Sequence, residues 1–238
     1  MKKAVFKMVC SMALAMMAHH SAAAEMVPAE ILKRADEVRN PSESYELKVK
    51  IDNSDGSSSS FLVKMKGGAK THIRTLAPAR DKGRNLLMVG EDMWAYVPGL
   101  KRAVRVALQQ KLTGEAANGD LSRMRWSGDY AAALEKEENG QWVLLLTAGR
   151  KGLTYDKIRL WVERQSFHPK KAEYLSLSGT IMKRVEFGDY RMMEGAMRPS
   201  LLVIEDAIEK KKKSRIIVEE MKKRDFPDTL FTEAQLGN

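Results

Sequence analysis

The chain has almost no cysteine. Its single one, Cys10 of 238 residues, falls in a segment that reads as a leader. Lys2, Lys3 and Lys7 precede a nearly apolar stretch from Met8 to Ala18, and Ala22-Ala23-Ala24 supplies small residues at a cleavage position, the pattern of a secretory signal peptide covering residues 1–24 and cut after Ala24. The stretch is too short to span a bilayer, which takes roughly 20 apolar residues, and no second apolar run of that length follows. Cys10 stands after Lys7-Met8-Val9, at the wrong depth for lipid attachment. The expected product is a disulfide-free domain, residues 25–238, in the periplasm, held together by its core alone.

Histidine is also scarce. After the leader only His72 and His168 remain, far apart and with no cysteine near them, which argues against a zinc site. There is no Gly-x-Ser-x-Gly elbow. Gly67-Gly68 and Gly114-Glu115 lack phosphate-loop patterning, and Asp52 to Gly56 lacks the alternating acids of a calcium loop. The expectation is a protein without cofactor, metal or catalytic residues. Its formal charge is +10, of which the three leader lysines account for part, leaving +7. That balance favours anionic partners such as membrane surfaces, and export sets nucleic acid aside.

The periodicity describes a β-rich chain. Val27, Ile31, Leu32, Ala35 and Val38 follow helical spacing up to Asn40-Pro41, predicting one N-terminal amphipathic helix. From Tyr45 the period becomes two, and strands are expected at Tyr45–Ile51, Phe61–Met65, Thr71–Leu76, Arg102–Ala107, Gln141–Thr147, Lys157–Glu163, Lys170–Leu177, Thr180–Tyr190, Arg198–Asp206 and Ser214–Lys222, an antiparallel meander in one domain. Short helices are expected at Asp120–Arg125 and Tyr130–Glu135, and a final helical turn at Thr232–Gln235.

The most informative run is Asn85 to Pro98, two apolar strands about a Gly90-Glu91-Asp92 turn. The pleat puts Trp94 and Tyr96 on one face and Met93, Ala95 and Val97 on the other. Both faces are apolar, so the hairpin is covered on both sides or lines a cavity. Lys210 to Lys213 lies between two apolar strands, either as a charged turn that blocks edge association or as a contact for anionic lipid headgroups.

Leu86-Leu87-Met88-Val89, Trp94-Ala95-Tyr96-Val97-Pro98 and Leu112-Thr113-Gly114-Glu115-Ala116-Ala117-Asn118-Gly119-Asp120 resemble blocks of the LolA-like family of periplasmic lipoprotein carriers, in the branch of outer-membrane lipoprotein-sorting proteins. The resemblance implies an α+β fold: a single antiparallel incomplete (half) β-barrel with helices covering the concave face. It implies a carrier or chaperone that binds acyl chains of lipoproteins or lipids in an apolar cavity and assists their transport towards the outer membrane, with a membrane-associated exporter of the resistance-nodulation-division type or a receptor as partner. Lys66-Gly67-Gly68-Ala69-Lys70 stands where the carriers have a basic-proline turn whose arginine is tied to lipoprotein release, which widens the cargo to other lipids. On this reading Leu87, Val89, Trp94, Tyr96, Trp142, Leu144, Ile158 and Leu160 line the cavity, Met124 and Trp126 belong to the lid, and Lys210, Lys211, Lys212 and Lys213 meet an anionic surface in transient membrane contact. The plainer reading of the apolar set is ordinary core. Two rivals stand beside the carrier: a lipid-binding sensor or adaptor of the same fold that contacts a signalling partner, and a small envelope hydrolase.

Overall fold

The structure, a computed structural model, describes residues 26–40 and 44–237. The expected leader and its cleavage point after Ala24 lie outside the described residues. Helix α1 (Pro28–Arg39) starts on a proline, whose missing N–H costs nothing in a first turn. One stripe of it, Ile31, Leu32, Ala35, Asp36 and Arg39, is buried.

Strands β1 (Tyr45–Asn53), β2 (Ser58–Lys66), β3 (Lys70–Ala77), β4 (Leu86–Val89), β5 (Asp92–Val97) and β6 (Arg102–Arg105) form one antiparallel meander. A connection carrying the small hairpin β7 (Lys111–Thr113) and β8 (Ala116–Ala117) and helix α2 (Asn118–Ser122) leads to a second. That second meander is β9 (Tyr130–Glu138), β10 (Gln141–Ala148), β11 (Lys157–Glu163), β12 (Pro169–Leu175), β13 (Ile181–Met193), β14 (Ala196–Asp206) and β15 (Lys213–Lys223). Pairing of β1 with β15 fuses the two into a single 13-stranded antiparallel sheet with β6 and β9 as its free edges. The sheet is open.

It is also bent. Helix α1 packs against both β14 and β9, which stand five strand spacings apart in the sheet order, or about 24 Å if the sheet were flat. A helix only about 10–12 Å across reaches both because the sheet curls round it. The inner face is the main core: Leu47, Val63, Leu144, Leu160, Val185, Ile204 and Val218 all belong to it, together with Ile31 and Leu32 of the helix.

Two of the short helical expectations change. The helix expected at Asp120–Arg125 lies two residues earlier and stops at Ser122, because Arg123 leaves helical backbone at φ −130°, ψ 70°. The second, Tyr130–Glu135, is not a helix but the start of edge strand β9. Tyr130, Ala132 and Leu134 are the partly buried residues that pack on the core, a period of two rather than 3.6. The deciding signal is Asn139-Gly140, both at positive φ, the two-residue turn that joins antiparallel strands.

Candidate functional site

The register brings half of the expected cavity residues together. Trp142 lies opposite Val162, Leu144 opposite Leu160 and Leu146 opposite Ile158, so these side chains share the inner face. Leu144, Ile158 and Leu160 are buried in the main core, and Trp142 packs against the Phe167 ring at 5.5 Å. The space around them is filled by the protein's own side chains. The cavity lined by Arg39, Asp120, Met124, Trp126, Ile158 and Tyr174 measures only about 20 Å³, room for a water.

The other half, Leu87, Val89, Trp94 and Tyr96, does not join them. These residues lie in a second apolar cluster with Phe226, Phe231 and Leu236, on the outer face of the sheet. The C-terminal segment crosses that face and is tied down: Asn85 Nδ2 donates to the Leu236 carbonyl at 2.8 Å and Lys66 Nζ to that of Phe226 at 2.7 Å. The assignment of Leu87, Val89 and Trp94 to the cavity is therefore corrected, while Tyr96 packs on the same outer cluster and also borders a groove on the inward side. The Trp94 and Tyr96 rings are the floor of a strap.

The inward face of the same hairpin is the one left open. Leu86 pairs with Ala95 and Ala95 with Val104, and with Phe61, Val97, Val106 and Leu112 they line a groove of about 620 Å³. Ser59, Thr75, Gln110 and Asn118 add polar groups to its wall, and Asp81, Arg84 and Lys111 add charged ones. Asn118 also marks its limit, since Gly119 and Asp120, the next residues of α2, line the small inner cavity. Parity is the signal that could have found these residues, because they are the alternate set on strands already recognised.

Met124 and Trp126, the lid candidates, sit in the irregular segment between α2 and β9, fastened to α1. Asp36 Oδ2 accepts from the Trp126 and Ser127 amides at 2.7 Å each, and Asn40 Nδ2 donates to the Met124 carbonyl at 3.2 Å. The Arg39 guanidinium lies 3.7 Å from the Trp126 ring centre, and Trp126 meets Phe187 edge-on at 5.9 Å. Arg198 of β14 donates to the Glu37 and Val38 carbonyls at the end of α1, at 2.7 and 2.9 Å. Burial pushes the Asp36 carboxyl up to about 6, against the pull of Arg39 and of its two amide donors. On the far side Arg123 pairs with Asp129 and donates to the Gly90 carbonyl at 2.7 Å, so the segment is held both by the helix and by the β4–β5 turn.

His72 is buried beneath the C-terminal strap, and burial lowers its proton affinity. His168 stacks on Tyr190 at 4.2 Å. Among the described residues there is no group of three or more His, Cys, Asp or Glu that could hold a metal ion. Lys210 to Lys212 belong to the β14–β15 turn and Lys213 begins β15; Lys212 pairs with Glu209 and Lys213 with Glu205, each at 2.7 Å.

A family model described as "Uncharacterized protein" matches residues 67–238, and no curated protein matches the chain. Among solved structures, a LolA superfamily protein from Nitrosomonas europaea is 34% identical, with a TM-score of 0.83 over 88% of this chain and 99% of its own. A domain classed with outer membrane lipoprotein-sorting proteins, from Vibrio parahaemolyticus, is 18% identical with a TM-score of 0.73, covering 89% of this chain and 98% of that one. A DUF1329 family protein from Desulfovibrio piger is 19% identical with a TM-score of 0.75, covering 89% and 100%. At those identities the last two speak to the fold.

Proposed function

We propose that this chain, which belongs to the LolA superfamily, is a periplasmic carrier that shelters acyl chains of a lipid or lipoprotein inside a half-barrel covered by helices and conveys them towards the outer membrane. The observation that carries the reading is the open apolar groove of about 620 Å³ beneath β2 to β6, a size within the roughly 300–1,000 Å³ of small-ligand sites. Each sheltered methylene gains about 0.8 kcal/mol. A dozen would supply on the order of 10 kcal/mol before ordering costs, so affinity needs no specific polar ligand. The filled inner cavity is the closed state of the cover, and movement of α1 with the segment 123–129 would extend the groove past α2. The chemistry is sheltering rather than bond-breaking, and the cargo's donor and acceptor are membrane-associated partners.

The test is uptake of a fluorescent fatty acid by the purified mature chain, with lipid extracted from the same preparation identified by mass spectrometry. Val104→Trp places a ring in the groove from a half-exposed position. It should lower probe affinity at least tenfold while the melting temperature moves by a few degrees only. Absence of both probe uptake and extracted lipid overturns the reading. Uptake without transfer between vesicles favours the sensor instead.

A further inference from the structure

The two most exposed large apolar side chains among the described residues, Ile208 at 88% and Leu177 at 72%, stand at one end of the sheet. Leu177 lies in the β12–β13 turn and Ile208 in the β14–β15 turn. The Ala207 amide donates to the Met182 carbonyl at 3.0 Å, so the two turns are neighbours, and Met182 is itself 48% exposed. Both turns are built rather than loose. Asp206 Oδ1 accepts from the Ile208 and Glu209 amides at 2.9 and 2.7 Å, and the hydroxyls of Ser176, Ser178 and Thr180 form a chain across the other turn.

Charge surrounds this apolar tip. Lys212 and Lys213 are engaged by Glu209 and Glu205, and Asp206 is spent on its own turn. The adjoining β1–β2 turn, tied on through the Ser54 amide and the Lys213 carbonyl, contributes Asp55, which bonds Ser57. Lys210 and Lys211 remain, exposed and without an ion pair among the described residues.

We propose that this end of the sheet docks on an anionic bilayer, with Ile208, Leu177 and Met182 entering the boundary between headgroups and acyl chains and Lys210 and Lys211 contacting the headgroups. An interface that is apolar within and anionic at its surface satisfies both sets at once. A second copy seated symmetrically here would set the two lysines against themselves. None of Leu177, Met182, Ile208, Lys210 and Lys211 lines the apolar groove, and the inference stands independently of acyl binding.

Co-sedimentation with vesicles of phosphatidylcholine containing about one-third phosphatidylglycerol tests it. The wild-type chain should sediment at low salt, much less with phosphatidylcholine alone, and release as salt rises. Lys210→Gln and Lys211→Gln should each weaken binding about fivefold, and Ile208→Ser at least as much. Ile208→Trp should add a blue-shifted emission, quenched by brominated lipid, to that of the four native tryptophans. The proposal is overturned if the chain ignores anionic vesicles at low salt, if the serine and glutamine variants bind like wild type, or if Ile208→Ser abolishes a dimer in solution. Fatty-acid uptake by Ile208→Ser should equal that of wild type, so failure of docking is distinguishable from failure of the carrier reading.

Discussion

Asp36 is the sharpest point at which to perturb the cover. Its carboxylate is buried on α1 and accepts two backbone amides from the segment 126–127, while burial lifts it from the ordinary 3.8 to about 6. The folded chain therefore binds this proton more tightly than the unfolded chain. Asp36 contributes most below about pH 4, and its contribution falls as pH rises through about 6. The difference corresponds to about 3 kcal/mol. Asp36→Asn keeps an acceptor and removes the charge, so the stability of wild type minus that of the variant should fall by about 3 kcal/mol between roughly pH 4 and pH 7.5. Asp36→Ala deletes the acceptor and strands two amides, at a cost of about 2–5 kcal/mol at either pH.

Urea unfolding followed by far-ultraviolet dichroism across that range measures both. The difference between variants is the useful quantity because His72, whose protonation burial disfavours, acts with the opposite sign: its contribution is lost as pH falls. A wild-type minus Asn curve that is flat, or that rises with pH, refutes the account of Asp36 as a desolvated carboxylate. An Ala variant as stable as wild type refutes its role in fastening the segment.

Two further outcomes follow from the same contacts. Arg198→Met removes donors to the Glu37, Val38 and Met193 carbonyls; it should cost about 2–4 kcal/mol, and hydrogen exchange should quicken in α1 before it does in β10 and β11. Phe231→Ala should cost about 3–5 kcal/mol by loosening the C-terminal strap from Leu87, and dye binding to newly exposed apolar surface should accompany it, together with weaker fatty-acid uptake as the groove wall loses its backing.

The strands were largely legible because their alternation is strong, as in Tyr45, Leu47, Val49 and Ile51, all buried on β1. The LolA-like blocks identified the family correctly. Asp36 and Arg39 carried a signal of their own: both fall on the stripe of Ile31, Leu32 and Ala35, and a charged pair inside an apolar stripe must find partners. What remained hidden is what covers each face. Where one face of a strand is polar, parity assigns the inside; on the Leu86–Val97 hairpin both faces are apolar, and parity is silent. The answer came from more than 120 residues away, where Phe226, Phe231 and Leu236 stand isolated in a polar tail with no period to announce them.

That arrangement has a consequence for cargo binding. The strap buries Leu87 and packs with Trp94 on the outer face, while Ala95 and Val97 of the same strand face the groove, with Tyr96 at its border. A hairpin clamped from behind keeps its inward face fixed in position, and a fixed wall loses less entropy when hydrocarbon settles against it. The large rings therefore stabilise the wall, while the smaller side chains opposite leave the room.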